Sequence, residues 1–231
     1  MDVSVVIPAR NEEKAVVRTV LAAAGLPGVG EIIVVDDGST DCTAPASRQA
    51  GARVLCHARP RGKGDALQTG ARAALGKCLL FLDADLGDTA AGAVRLLEPL
   101  VRGDADVVVG AWPGRKGRGG FGLVVGLARW GLRFLTGRSL VSPLCGQRAL
   151  TRGAFEHLQP LAGGWGAEMG MNIDAFLRGL AVVEVPVDMT HRSLGRSLAG
   201  FIHRGGQFCG VLLVIVRRCG PALRWKIAGP K

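Results

Sequence analysis

Residues 79–88 read LLFLDADLGD. Four apolar residues run straight into an aspartate, an alanine and a second aspartate. Acidic residues often mark the turn after a strand, so Asp83 and Asp85 can be read as nothing more than a polar strand end. Two carboxylates at i and i+2 on a turn can also face one pocket, and such oxygen ligands suit Mg²⁺ or Mn²⁺. The order of the surrounding elements weighs one reading against the other.

Apolar runs of the same kind recur at 3–7 (VSVVI), 31–35 (EIIVV), 52–56 (ARVLC), 78–82 (CLLFL) and 106–110 (DVVVG). Val, Ile and Leu with little alternation mark strands buried on both faces. Helical spacing fills 12–24, 40–50, 63–75 and 90–101. The first of these sets Val16, Val17, Val20 and Leu21 on one side, and the second opens on Ser39-Thr40-Asp41, a capping cluster. Repeated strand–helix alternation predicts an α/β fold, a mostly parallel sheet flanked by helices. Ligands of such sheets sit beyond the carboxyl ends of the strands. Pro8-Ala9-Arg10-Asn11-Glu12, Asp36-Asp37-Gly38-Ser39 and Asp83-Ala84-Asp85 all fall on that edge.

Beyond 110 the pattern changes. A basic, glycine-rich mobile loop is expected at 114–122, then an amphipathic helix over 121–136. A short apolar piece at 144–150 (LCGQRAL), a helix near 167–178, a strand at 181–187 and a basic C-terminal region follow. Neither a repeat nor a low-complexity linker interrupts 1–231, so one domain is expected, with an elaborated second half.

The 231 residues are 48% hydrophobic and 21% charged, a globular balance that excludes a disordered chain. A formal charge of +10 favours anionic partners. Tyrosine is absent and aromatics make up 5%, which leaves no stock of stacking residues for single-stranded nucleic acid, and no nucleic-acid partner is expected. The six cysteines form no CxxC pair and are expected as buried free thiols of a reducing cytosol. MDVSVVIPARNEE reads as a strand and not as a signal peptide. The longest apolar stretches are 121–135, broken by Arg129 and Arg133, and 208–216, too short to span a bilayer. Either suits a membrane surface. The expectation is a cytoplasmic protein, with peripheral contact at the inner membrane face and a homodimer both open.

Other segments carry chemistry with a bland alternative beside it. Arg61-Gly62-Lys63-Gly64 offers backbone N–H groups and a point charge to a phosphate, or is a basic surface turn. It lacks P-loop spacing, and no G-x-G-x-x-G follows the first strand. Asp37 can accept hydrogen bonds from a base or ribose, or can end a strand. Glu168, at a helix start after Gly163-Gly164-Trp165-Gly166, can bind sugar hydroxyls, act as a base or complement the helix dipole. Trp165 offers an apolar face for a sugar ring. His191 can add an imidazole to a metal held by Asp85. Arg192, Arg196, His203 and Arg204 form a basic stripe suited to phosphate, on an acceptor or a lipid.

VVIPARNEE, IIVVDDGSTD, GKGDAL and FLDADL, in this order over 3–86, resemble a family 2-type glycosyltransferase with the GT-A (Rossmann-like) fold. The resemblance implies a nucleotide-sugar-binding half over 1–110 and an acceptor-side half over 111–231. It places the nucleotide sugar on Pro8, Ala9, Arg10, Glu12, Asp37, Lys63, Asp83 and Ala84, with Asp85 as metal ligand and catalytic residue beside Glu168. GWGAEMGMNID (164–174) is similar to a segment of glucosyl-3-phosphoglycerate synthases, whose downstream histidine joins the metal and would be His191 here. The N-terminal motifs are shared with dolichol-phosphate mannosyltransferase-like enzymes. The expected function is a Mg²⁺- or Mn²⁺-dependent transfer of a hexose, glucose first, from a UDP-sugar to an anionic or lipid-linked acceptor. Trp165, Arg192 and Arg196 are its acceptor-side candidates. A polyprenyl-phosphate transferase at the membrane surface and a non-catalytic binder on the same scaffold are the alternatives.

Overall fold

The computed structural model describes residues 2–112, 122–190 and 198–228, with the side chains of 205–220, 222 and 223 in the last stretch. The loop expected at 114–122 lies almost wholly outside the described residues.

Seven strands form one sheet in the order β3-β2-β1-β4-β6-β5-β7. They are β1 (Val3–Ala9), β2 (Val29–Asp36), β3 (Arg53–Cys56), β4 (Cys78–Phe81), β5 (Val107–Ala111), β6 (Arg148–Thr151) and β7 (Val182–Pro186). β1 pairs in parallel with β2 and β4, and β3 and β7 also join their neighbours in parallel. Only β6 runs the other way, antiparallel to both β4 and β5. The short apolar piece at 144–150 is thus the start of a central strand.

Alternation along the central strands feeds two cores. Val3, Val5 and Ile7 of β1 pack on one face with Leu80 and Val108, and Val6 on the other with Leu79, Phe81 and Val109. Two-faced burial explains why those runs read as unbroken apolar sequence. β3 and β7 are different: they lie at the sheet edges and are only partly buried, so 52–56 is a half-exposed strand and not the doubly buried one expected, while 181–187 is a strand as expected.

The helices are α1 (Val16–Ala24), α2 (Thr43–Gln49), α3 (Lys63–Ala73), α4 (Val94–Arg102), α5 (Leu123–Thr136), α6 (Arg152–Leu158), α7 (Ala167–Leu177) and α8 (Leu198–Ala228). α1 buries Val16, Thr19, Val20 and Ala23, while Leu21 faces solvent, because the stripe follows the 3.6-residue period rather than the run of valines. Cys42, not a residue of the Ser39-Thr40-Asp41 cluster, stands at the N-cap of α2. Asp41 still serves the helix start, since its Oδ1 accepts from the Thr43 N–H at 3.0 Å and the Thr43 hydroxyl at 2.5 Å. A 3-10 turn over Gly87–Ala93 precedes α4.

The C-terminal region, which the sequence leaves unassigned beyond its charge, contains the 31-residue helix α8. It builds a third core with α5 and α7, where Leu132 and Leu135 meet Met169, Ile173, Val211 and Ile215. No helix among the described residues is long and apolar enough to cross a membrane. The cysteines depart from expectation: all six are free, but only Cys78 and Cys145 are buried.

Candidate active site

The carboxyl ends of β1, β2 and β4 open into one cleft of about 760 Å³, within the usual range for small-molecule sites. Pro8, Ala9, Arg10 and Glu12 line it from β1, Asp37 from β2, and Asp83, Ala84 and Asp85 from β4. Lys63 enters from the start of α3, Trp165 from the 3-10 turn Gly164–Gly166, and Glu168 from the first turn of α7. Every sequence candidate within the described residues therefore meets in one place. His191, Arg192 and Arg196 lie outside those residues, as do the side chains of His203 and Arg204.

Lys63 ties the two halves of the chain together. Its Nζ lies 2.6 Å from Asp83 Oδ1 and 2.7 Å from Glu168 Oε1. Burial alone would lower the ammonium pKa, but the two carboxylates outweigh it and hold Lys63 well above its ordinary value. The second oxygen of Asp83 accepts from Gln147 Nε2 at 2.8 Å. Continuing the β4–β6 register two residues beyond Phe81↔Arg148 sets Asp83 opposite Gly146. A Cβ there would sit 2.6 Å from Lys63 Nζ and 2.7 Å from Asp83 Oδ2, so any side chain at 146 would push the ion pair out of its present position.

Asp37 is a hub of hydrogen bonds. It accepts from the backbone N–H groups of Arg61 and Gly62, each at 2.8 Å, and stands 2.7 Å from His57 Nδ1. The Nδ1-protonated tautomer lets His57 donate to Asp37 while Nε2 accepts from Thr69 Oγ1–H at 3.0 Å. Burial would push the Asp37 carboxyl up; the bonds from His57, Arg61 and Gly62 outweigh it and hold it below the ordinary carboxylate range. The Arg61 and Gly62 amides, expected to face a phosphate, are thus committed to Asp37. The next glycine, Gly64, has a packing reason: a Cβ would lie 2.1 Å from the Ala162 carbonyl oxygen.

The two polar loops are stitched to each other. Asn11, at φ +56°, accepts from Thr40 N–H at 2.9 Å, its own N–H donates to Ser39 Oγ at 3.0 Å, and Glu12 N–H donates to Thr43 Oγ1 at 2.8 Å. The Ser39-Thr40-Asp41 segment therefore shapes the Arg10–Glu12 wall.

Behind Glu168 lies Arg148, wholly buried, donating to the carbonyls of Cys145 and Glu168 and to Asn172 Oδ1. Its Nε has no hydrogen-bond partner among the described residues. Desolvation lowers its pKa, and the nearby Glu168 carboxylate opposes that. Burial also pushes the neighbouring Cys145 thiol up to about 12, so it stands as an inert packing group.

Sequence reasoning passed over His57, Gly146, Gln147 and Arg148. His57 follows β3 as Asp83 follows β4, so the strand-end rule that found one could have found the other. The Gly-Gln-Arg interruption inside 144–150 was a signal too, of buried polar groups that need partners.

A family model described as glycosyl transferase family 2 matches residues 4–144. The chain belongs to glycosyl transferase family 2. Membership makes it a nucleotide-sugar-dependent glycosyltransferase, and the described sheet is that of the GT-A fold. The chain is 34% identical over 242 residues to the glucosyl-3-phosphoglycerate synthase of Mycolicibacterium smegmatis, covering 94% of this chain and 78% of that one. It superposes with a TM-score of 0.79 and 32% identity on the Mycobacterium tuberculosis glucosyl-3-phosphoglycerate synthase crystallised with Mn²⁺, UDP-glucose and phosphoglyceric acid, covering 95% and 80%. Against that enzyme with Mg²⁺ and UDP the TM-score is 0.76 at 31% identity, covering 95% and 79%.

The donor set of this family 2 chain fits a hard cation of that kind. Among the described residues no three His, Cys, Asp or Glu side chains form a metal cluster. Mg²⁺ and Mn²⁺ do not need one, because one or two carboxylates suffice when substrate phosphates and water complete the shell. Asp83 and Asp85 both line the cleft, so two carboxylates stand where a ligand could complete the shell of such an ion.

Proposed function

We propose that this chain transfers glucose from UDP-glucose to a small anionic acceptor of the phosphoglycerate type. The observation that carries the reading is the Asp83–Lys63–Glu168 bridge, which joins the donor-side motifs to the acceptor-side helix within one cleft. The similarity to glucosyl-3-phosphoglycerate synthases over 94% of the chain supports the choice of donor and acceptor.

In this reading Pro8, Ala9, Arg10, Glu12 and Asp37 frame the nucleoside, with Asp37 holding the 61–62 turn in place. Asp85, with Asp83 alongside and His191 as a further ligand, would hold a Mg²⁺ or Mn²⁺ ion, which would supply the positive charge that neutralises a diphosphate leaving group. Lys63 presents its ammonium to the sugar-diphosphate end of the cleft. Glu168, with Oε1 committed to Lys63, positions the hexose by accepting hydrogen bonds from its hydroxyls, a role that a retaining reaction needs more than a base. Trp165, 41% exposed at the cleft wall, gives the hexose or acceptor an apolar face. Arg192 and Arg196 supply cations for the acceptor's phosphate.

The test is product formation from UDP-glucose and Mn²⁺ with 3-phosphoglycerate or with polyprenyl phosphate as acceptor, beside calorimetric titration of UDP. The expected result is a glucosylated phosphoglycerate, and UDP binding at least about tenfold tighter with Mn²⁺, a gain lost in Asp85→Ala. Transfer to polyprenyl phosphate alone would overturn the acceptor. UDP affinity indifferent to both metal and Asp85→Ala would overturn the metal role.

A further inference from the structure

The charge of this chain is unevenly placed. All 19 Asp and Glu lie outside two stretches, 107–155 and 189–231, which together hold 16 of the 29 Lys and Arg. Those stretches contain α5 and α8, which pack against each other through Ala128, Leu132, Val211 and Ile215. Their inner faces are therefore used, and α8 also turns Gln207 and Val211 toward the active-site cleft.

Their outer faces are apolar as well. Trp130 on α5 is 56% exposed, and Leu212, Leu213 and Val216 on α8 are 41%, 48% and 60% exposed. Arg129 and Arg133 flank Trp130, and Arg217 follows Val216, all three exposed. Large apolar side chains at successive positions of a helix face, edged by arginine with no carboxylate in either stretch, are the pattern of a helix lying in a lipid interface. A second copy of this chain fits the face poorly. A two-fold contact would lay this arginine-edged patch on its own copy, two stretches without a single carboxylate of their own against each other. An anionic headgroup layer supplies the missing negative charge and takes up the apolar side chains just below it.

We propose that the outer face of the α5–α8 pair docks in the plane of an anionic lipid bilayer, with the cleft on the opposite side of α8. The contact is peripheral, since no helix among the described residues can cross a membrane.

Co-sedimentation of the full chain with vesicles of phosphatidylcholine, alone or mixed with phosphatidylglycerol, tests this at low and high salt. Binding to the mixed vesicles only is expected, weakened by salt. Leu212→Gln/Val216→Gln and Arg129→Glu/Arg133→Glu should each lower the partition coefficient about tenfold. Calorimetric UDP binding should be unchanged in both variants, which separates failure of docking from failure of the proposed reaction. No partition into anionic vesicles, or partition indifferent to the charge-reversed variant, overturns the proposal. So does a dimer in sedimentation velocity that Leu212→Gln/Val216→Gln turns into monomer while vesicles stay unbound. If the apolar variant does not fold, the charge-reversed pair alone still decides.

Discussion

Up to Gly110 the chain reaches the cleft chiefly by one repeated device, with Lys63 at the start of α3 as the exception. β1, β2 and β4 each run toward it and end in a polar cluster, so Pro8, Asp37 and Asp83 all arrive at one edge of the sheet. After Gly110 the device is different each time. Gly146 and Gln147 arrive at the amino end of an antiparallel strand, Glu168 in the first turn of α7, and Gln207 from the middle of a long helix. Parallel strand ends make a site from local sequence alone. The second half makes its share from contacts across 60 or more residues, as when Gln147 meets Asp83 or Glu168 meets Lys63.

Lys63 is where that contrast can be broken most severely. Lys63→Met leaves Asp83 and Glu168 facing each other without a cation, in a largely enclosed place. A loss of roughly 3 kcal/mol of unfolding free energy is expected, toward the low end for a disrupted buried pair because Lys63 is partly exposed. Activity should fall at least about a hundredfold as positioning is lost. Glu168→Gln in the same chain should restore part of the stability, giving a coupling above about 1 kcal/mol in a double-mutant cycle from urea unfolding. Strictly additive losses would mean that the two halves meet at Lys63 without cooperating.

Gly64→Ala probes the same seam without touching charge. The added Cβ would strike the Ala162 carbonyl at 2.1 Å, backbone against backbone, so α3 and the loop before the 3-10 turn must separate. About 2 kcal/mol of destabilisation is expected. Because Glu168 follows that loop, UDP-glucose binding should weaken more than UDP binding. Equal loss for both ligands would place the seam away from the sugar.

The contrast also explains what was legible in the sequence. The strands of the first half were readable because apolar runs buried on two faces carry no competing signal, and their polar ends follow from the direction of the sheet. Asp83 and Asp37 stand at such strand ends, and Lys63 and Glu168 stand in glycine-rich segments before helices. β6 shows in the sequence only as a short apolar piece, since four residues between a proline-containing turn and a helix carry too little pattern to reveal a reversed direction. Without that direction, nothing says that Gly146 faces Asp83. α8 was hidden by its composition: its apolar residues occupy both an inner and an outer face, so no clean amphipathic stripe marks it. His57 follows β3 as Asp83 follows β4, but a lone histidine after an edge strand has many ordinary explanations.

Asp37→Asn gives the smallest effect and tests whether the first half's site residues are scaffold as well as ligand contacts. The amide retains one acceptor oxygen, but Asp37 now serves His57 and two backbone N–H groups, so at least one buried donor loses its partner. About 1 kcal/mol of stability should be lost near neutral pH. The pH dependence follows from the depressed carboxyl pKa. The unfolded chain titrates near a pKa of about 3.9 and the folded chain lower. The carboxylate's contribution is therefore fully present above about pH 5 and declines as pH falls through the unfolded and then the folded value. Urea unfolding of wild type and Asp37→Asn at neutral and progressively acidic pH should give curves that converge on the acid side. A difference that stays constant with pH would mean the carboxylate's charge is not what holds the Arg61–Gly62 turn, and that the hydrogen-bond geometry alone carries it.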